Sequence, residues 1–326
     1  MYDPAGVNYD PILTNFSVGF QAPELIYSQV SPTVPVATQG GKYRVFDRSG
    51  WLIYNDRREP GAEAHEIQGG KWSEDTYWCV EHAIAAPVYD EELQNLGVDR
   101  ANPANAALFA GIEPLLDATE ATTRAIELRL ETELATLLRA TGTYAGGHST
   151  TLSGTSQWSD YSGTSDPISV VEAAIRTVYS KIYQVPNVMI IPWYVWSFLR
   201  NHPKIVDRIK YTAITAEDAF LQLTGFKGKL LIPESVYNTA DNVDATESVS
   251  EVWGKDVILA RVDTTPQMKT KTLVKTFAQP YPSGQVRETD QWYEKNRRTT
   301  KVRTSMKYQL KIVSNVAGYV IKAAAA

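Results

Sequence analysis

Hydrophobic and polar positions alternate most regularly in KVRTSMKYQLKI, residues 301–312. Val302, Thr304, Met306, Tyr308, Leu310 and Ile312 take one side, and Lys301, Arg303, Ser305, Lys307, Gln309 and Lys311 the other. Period two with one apolar and one basic face predicts a strand packed on the core from one side only. The run NVAGYVIK at 315–322 reads as its hairpin partner. A period of 3.6 residues governs DATEATTRAIELRLETELATLLRATG at 117–142. Its apolar side holds Ala121, Ala125, Leu128, Leu130, Leu134, Leu137 and Leu138; Glu120, Arg124, Glu127, Arg129, Glu131 and Glu133 are assigned to the other. Gly142 is placed to end the helix as a C-cap. At ~1.5 Å per residue, roughly 24 residues make it ~36 Å long, a spine for the molecule.

The remaining segments order themselves around these two. Residues 1–40 carry Pro4, Pro11, Pro23, Pro32 and Pro35 and show no helical period. They read as extended, with few contacts to their own body: either an arm that orders against something else or a frayed terminus. Residues 41–86 give strand-like runs in GKYRVFDRSGWLIYN and in DTYWCVEHAIAAPV (75–88), a long two-stranded excursion with its tip at 56–72. GTYAGGHSTTLSGTSQWSDYSGTS (142–165), dominated by Gly, Ser and Thr, reads as a linker. Asp166 and Pro167 then start a helix as N-cap and first-turn proline, with Val171, Ile175, Val178 and Ile182 as its buried stripe. Short helices are predicted around 193–200, from Pro203 to Tyr211, and after Thr215, where Thr215 and Asp218 resemble a capping box. Buried strands are predicted at 187–192, 228–234 and 255–263.

The uncharged block IYQVPNVMIIPWYVWSFL (182–199) has nearly the length of a membrane span, but Pro186 and Pro192 interrupt any helix through it. It divides instead into a helix end, a buried strand and a second helix start. The chain has 326 residues, 43% of them hydrophobic, enough for a sizeable core and about two domains. With 32 basic against 37 acidic residues it is not a general nucleic-acid coater, since counterion release needs clustered cations. A single cysteine, Cys79, excludes an intrachain disulfide framework and fits a reducing interior. The first residues show no secretory signal, so synthesis in the cytoplasm is expected.

No catalytic constellation emerges. Phosphate-cradling and nucleophile-elbow motifs are missing, and the histidines (His65, His82, His148, His202) stand one per segment. Cys79 and His82, three apart on a strand, face opposite ways, so neither a metal site nor any cofactor is expected. The basic strand face, with Lys301, Arg303 and Lys307, reads first as a solvated outer sheet face. Its functional reading is a contact with acidic groups of a neighbouring subunit or with packaged nucleic acid. The tip carries Arg57, Arg58, Glu59, Glu63, Glu66 and Lys71, with Trp72 at its end. It is either an ordinary polar loop or a charge-matched docking finger.

The order of these parts resembles the major capsid proteins of tailed phages, which have the Hong Kong 97 fold. The similarity is most specific in DPISVVEAAIRTVYSKIYQVPNVMIIPWYVWSFLRNHPKIVDRIKYT (166–212): a helix, PN and a buried strand, a Trp-bearing helix, then HP and DRIKYT. VNYDPILTNFSVGFQAPELIYSQVSPTVPV (7–36) looks like the capsid amino-terminal arm, and PGAEAHEI and TYWCVEHA like the excursion strands. The resemblance implies an α+β fold: an arm (1–40) lacing onto neighbours, and an extended β-hairpin loop (41–86) over an adjacent subunit. A peripheral domain (87–165 and 264–326, with spine helix 115–141) and an axial domain (166–263) meeting its copies around five- and six-fold centres would complete it. The apolar block would be the axial interior, with Met189, Ile190 and Ile191 in its sheet and Trp193 and Trp196 packed beneath. Implied partners are further copies in hexamers and pentamers, a separate scaffolding protein, a portal, decoration proteins, and double-stranded DNA touched weakly and locally; no membrane is implied. Some relatives crosslink through lysine and asparagine. Lys71 lies near the right place, but no motif identifies its partner. Two rivals remain: an encapsulin-like shell, whose family lacks a matching long arm and has a cargo-peptide pocket not recognisable here, and a soluble enzyme with dispersed active-site residues.

Overall fold

Two long sequence patterns become the frame of the fold, a helix of 26 residues and a strand of 14. The computed structural model describes residues 9–46, 57–58, 60–61, 63, 72–91, 114–209, 215–240, 248–265 and 271–326. In chain order the elements begin with α1 (Pro11–Gly19), α2 (Tyr27–Val30), β1 (Thr33–Pro35), β2 (Gly40–Phe46), β3 (Trp72–Trp78) and β4 (Val80–Tyr89). There follow α3 (Pro114–Arg139), β5 (Ser149–Thr151), α4 (Pro167–Ile182), β6 (Val188–Ile190), α5 (Trp193–Leu199), α6 (Pro203–Ile209), α7 (Ala216–Thr224) and β7 (Lys229–Leu231). The chain ends through β8 (Val236–Asn238), β9 (Val249–Glu251), β10 (Val257–Ala260), β11 (Val274–Ala278), β12 (Arg287–Glu294), β13 (Thr299–Ile312) and β14 (Gly318–Lys322).

One five-stranded sheet is ordered β1-β11-β13-β12, with β4 also paired to β13. Residues 299–306 of β13 have β12 along one edge and β4 along the other. The predicted alternation holds on the inner face, where Val302, Thr304, Met306 and Tyr308 are buried. A second five-stranded sheet runs β5-β14-β10-β6-β7. It therefore takes in 149–151 and 318–322, segments that the sequence division groups with the first sheet. The remaining strands form two antiparallel pairs, β2 with β3 and β8 with β9.

The 315–322 run is not the hairpin partner of β13. The Ser314–Ala317 turn redirects the chain, and β14 enters the second sheet between β5 and β10. The reason is burial. Gly318, Tyr319, Val320 and Ile321 are covered on both faces, which an interior position provides, whereas both edges of β13 are already paired. Residues 142–165 are likewise no loose linker: β5 lies here, and Tyr144, His148, Leu152 and Trp158 are buried.

The first forty residues depart most from expectation. From residue 9 onward they carry two helices and one strand, and Leu13, Ala22, Leu25, Ile26, Val30, Val34 and Val36 are buried. Asp10 caps α1, its side chain accepting from Ile12 N at 2.9 Å and Leu13 N at 3.2 Å, with Pro11 in the first turn where no donor is needed. The segment is fastened to the body: Asp10 N donates to Thr289 O at 2.9 Å, and Ser17 Oγ and Thr123 Oγ1 bond at 2.8 Å. So the arm buries itself against its own chain.

Helix α3 stops at Arg139, and Gly142 belongs to a following 3-10 turn rather than to its cap. In α4 the N-cap Asp166 accepts from Ser169 N at 3.3 Å, and the buried stripe is Val171, Ala174, Val178 and Ile182, with Ile175 half-buried. The strand expected at 75–88 is two, broken at Cys79, whose N–H donates to Gln39 O at 2.8 Å. Cys79 is buried with Phe277, and His82 stacks on Tyr308 at 4.3 Å. The apolar block divides into the end of α4, then β6 and α5, and among the described residues no helix is long and apolar enough to cross a membrane. Trp196 is buried as expected, but Trp193 is 48% exposed.

Candidate assembly interface

Helix α3 positions the charged groups that tie the molecule together. The sequence puts Glu127 and Glu131 on its solvent side; both are buried, at 2% and 0% exposure. Spaced four apart, they lie on one face and receive the arm. Glu131 Oε2 accepts from the backbone N–H groups of Ile26 (2.6 Å) and Tyr27 (2.9 Å), and Oε1 from Ser235 Oγ (2.9 Å) and Trp253 Nε1 (2.8 Å). Glu127 Oε2 accepts from Ala22 N at 3.1 Å, and Oε1 from Tyr27 Oη (2.8 Å) and Arg287 Nη1 (2.7 Å). Arg287 is only 12% exposed and also reaches Phe20 O at 3.3 Å. Burial pushes the Glu131 carboxyl above the usual glutamate range, against the pull of Trp253, Ser235 and the two N–H donors. Two adjacent carboxylates thus join the arm, β12 and the segments flanking β8 and β9.

A third carboxylate ties the far end of α3 to the second sheet. Asp256 Oδ2 accepts from Arg139 Nε at 2.8 Å and Lys322 Nζ at 2.7 Å, and Oδ1 from Ala323 N at 3.0 Å. Burial alone would raise its pKa, but Lys322, the Ala323 N–H and Arg139 together hold it below the usual aspartate range.

Of the sequence-selected residues, Lys301, Arg303 and Lys307 do share one face, but it is charge-balanced rather than basic. Lys301 Nζ pairs with Glu294 at 2.7 Å, and Arg303 pairs through two nitrogens with Asp290, both at 2.9 Å, while lying over the Trp292 ring. Lys307 stands 4.0 Å from Glu81 and over the Tyr281 ring, and Lys311 3.9 Å from Asp75. The register sets these partners opposite one another: Asp290 faces Arg303 across β12 and β13, and Glu81 faces Lys307 across β4 and β13. The cations are engaged within their own chain. A 301–311 window carries no sign of this, because the acids sit on neighbouring strands.

The other selected residues are not brought to that face. Arg57, Arg58 and Glu63 are exposed; Glu59 and Lys71 lie outside the described residues. Trp72 opens β3 opposite Phe46. Among the described residues no group of three or more His, Cys, Asp or Glu could hold a metal ion.

No family model matches the sequence. Two curated proteins are similar to it. The major capsid protein of Burkholderia phage BcepMu is 27% identical over 255 residues, 78% of this chain and 76% of that protein. The major capsid protein of Pseudomonas phage JBD67 is 29% identical over 229 residues, 70% of this chain and 67% of that one. The chain is a relative of phage major capsid proteins. Solved structures share its fold. A phage-related protein from Bordetella bronchiseptica matches with a TM-score of 0.77 and 24% identity over 97% of both chains. A putative capsid protein of an E. coli prophage matches at 0.57 and 14%, over 97% of this chain and 99% of its own. An encapsulin from Synechococcus elongatus matches at 0.50 and 9%, over 94% and 90%. The mixed helix-and-sheet architecture is thus that of phage capsid chains, and the encapsulin likeness is the more distant one.

Proposed function

We propose that this protein is the major capsid subunit of a phage head, assembling in many copies into a closed icosahedral shell around double-stranded DNA. The observation that carries this is sequence similarity to two phage major capsid proteins across more than two thirds of the chain. Fold likeness alone would also admit an encapsulin-like compartment, but both curated relatives are phage proteins. The role is structural rather than enzymatic.

In this reading the fold is of the Hong Kong 97 type. The first sheet with α3 is the peripheral domain, the second sheet with α4 to α7 the axial domain, and the β2–β3 pair the base of the extended loop. Hexamers and pentamers form through the axial domain, and a scaffolding protein, a portal and decoration proteins attend assembly in the host cytoplasm. DNA contact is weak and local, since the β13 cations already have acidic partners. The arm is already held by its own chain. Ordering residues costs ~1–2 kcal/mol each, and here contacts within the chain offset that cost from residue 9 onward.

Electron microscopy of the purified protein, alone and with neighbouring gene products, tests this. Closed uniform particles holding nucleic acid are expected. Particles holding only protein would favour the compartment, and a solitary monomer under all conditions would overturn both.

A further inference from the structure

A cavity of about 390 Å³ opens where the second sheet meets β8 and β9, a volume suited to a side chain or short peptide. Pro192, Trp193 and Pro233 form apolar walls, Trp253 the floor, and Glu234 and Glu251 supply charge. The floor is fixed, because Trp253 is 1% exposed and its Nε1 donates to Glu131. Pro192 and Pro233 are themselves buried, while Trp193 leaves about half of its surface, 48%, open. Glu251 pairs through its backbone with Val236, but neither its side chain nor that of Glu234 makes a hydrogen bond or ion pair among the described residues. Burial raises the Glu251 carboxyl, with Lys255 opposing, so a cation arriving there would find a partly desolvated anion. An indole face, two proline rings and two unpaired carboxylates together suit a cation on an apolar stem, such as a lysine or arginine side chain.

The chain carries a surface of the complementary kind. Between β12 and β13 the turn Lys295-Asn296-Arg297-Arg298 is exposed throughout, and Arg298 holds a left-handed backbone at φ 48°. The side chains of Lys295 and Arg298 have no partner among the described residues, and Arg297 lies near Glu294, which Lys301 already binds. Within one chain this turn and the cavity stand apart. Arg298 O accepts from Asp90 N at 3.1 Å, beside the strand end where Val88 packs with Ala118 near the start of α3. The cavity floor hangs on Glu131, thirteen residues further along that helix, ~20 Å at 1.5 Å per residue.

We propose that the Lys295–Arg298 turn of one copy enters the Trp193–Trp253 cavity of a neighbouring copy, its cations meeting Glu234 and Glu251. Two different patches then form each contact, a head-to-tail arrangement that propagates from copy to copy and closes only when the rotation allows. The contact rests on the shell reading above and specifies one of its joints.

Charge exchange tests it. Glu234→Lys with Glu251→Lys forms one variant, Lys295→Glu with Arg298→Glu a second, and all four substitutions a third. Thermal melting shows that each is folded, and sedimentation with negative-stain microscopy counts particles. Each two-residue reversal should lower particle yield about tenfold or more, because like charges then face one another, and the four-residue exchange should restore it. Wild-type yield from either reversal overturns the contact, as does failure of the exchange to rescue two assembly-defective parents. If the unaltered chain forms no particles, the shell reading falls and this joint falls with it; a defect confined to the pairing leaves that reading standing.

Discussion

Trp253 and Glu131 meet through a hydrogen bond of 2.8 Å, Nε1 to Oε1, in a site where the glutamate is fully buried. The other oxygen of the same carboxylate holds the backbone of Ile26 and Tyr27. One side chain therefore fixes both the amino-terminal segment and the floor of the cavity. A disturbance at either place reaches the other through two hydrogen bonds.

Glu131→Gln should separate these functions. An amide nitrogen can donate but not accept, so whichever way it turns, two of the four donors lose their acceptor. Each unmade charged hydrogen bond costs roughly 1.5–3 kcal/mol, partly offset because a buried charge is gone. We expect a net loss of about 2–4 kcal/mol in urea unfolding and faster protease cleavage at 20–30. Unchanged stability with unchanged cleavage would mean that the carboxylate does not hold the arm.

Arg287 and Glu127 give a second test, since the pair is nearly excluded from water. Arg287→Ala leaves an uncompensated charge and should cost about 3–5 kcal/mol. Once Glu127 has been changed to Ala, removing Arg287 should cost much less. A double-mutant cycle measures the difference; additive losses would show that the two do not interact.

The same residues show what sequence reading could and could not reach. Helix α4 was legible because Asp166-Pro167 is followed by apolar residues at helical spacing. Asp10-Pro11, with Ile12, Leu13 and Phe16 behind it, is the same signal for α1, outweighed by the count of prolines around it. The pattern assigns Glu127 and Glu131 to solvent because a glutamate on an amphipathic helix normally is; their four-residue spacing beside Ile126 and Leu130 is the available hint. The ladder on β13 and the sheet membership of β14 depend on which distant strands become neighbours. An isolated strand records how much of it is buried, not beside what.

Acidification should act on Asp256 and Glu131 in opposite senses. Asp256 has a lowered folded pKa, so its contribution is present above the usual aspartate range and is lost as pH falls through the folded value. Glu131 has a raised one, so its cost is full above the folded pKa and is relieved as pH falls toward the usual glutamate range. Asp256→Asn should therefore flatten the acid limb of a stability–pH curve at its lowest end, and Glu131→Gln should remove a small opposing slope above it. Denaturant midpoints taken across pH 2 to about 7 would show both, and parallel curves for wild type and Asp256→Asn would contradict the assignment.

The outer face of β13 should matter little to folding. Arg303 is half-exposed, and its bidentate pair with Asp290 lies in water on one side. Arg303→Ala should cost within about 1 kcal/mol, with the difference shrinking as salt is added. A larger loss, insensitive to salt, would point to packing of the guanidinium stem on Trp292 rather than to charge.

Gly228 should be the least tolerant of the small residues in the second sheet. Asn187 enters β6 with its groups committed: Nδ2 donates to Val262 O at 2.8 Å, Oδ1 accepts from Val262 N at 2.7 Å, and its carbonyl accepts from Lys229 N at 2.8 Å. A Cβ on residue 228 would lie 2.2 Å from that carbonyl oxygen. Asn187 cannot retreat without breaking both bonds to Val262, so β7 would have to move away from β6 instead. We expect Gly228→Ala to cost about 1–3 kcal/mol, like other overpacked sites, and to lower the melting temperature more than Gly142→Ala, where nothing stands within 4 Å of the new Cβ. Equal melting temperatures for the two variants would show that the β6–β7 pairing has slack that the close approach at Asn187 does not suggest.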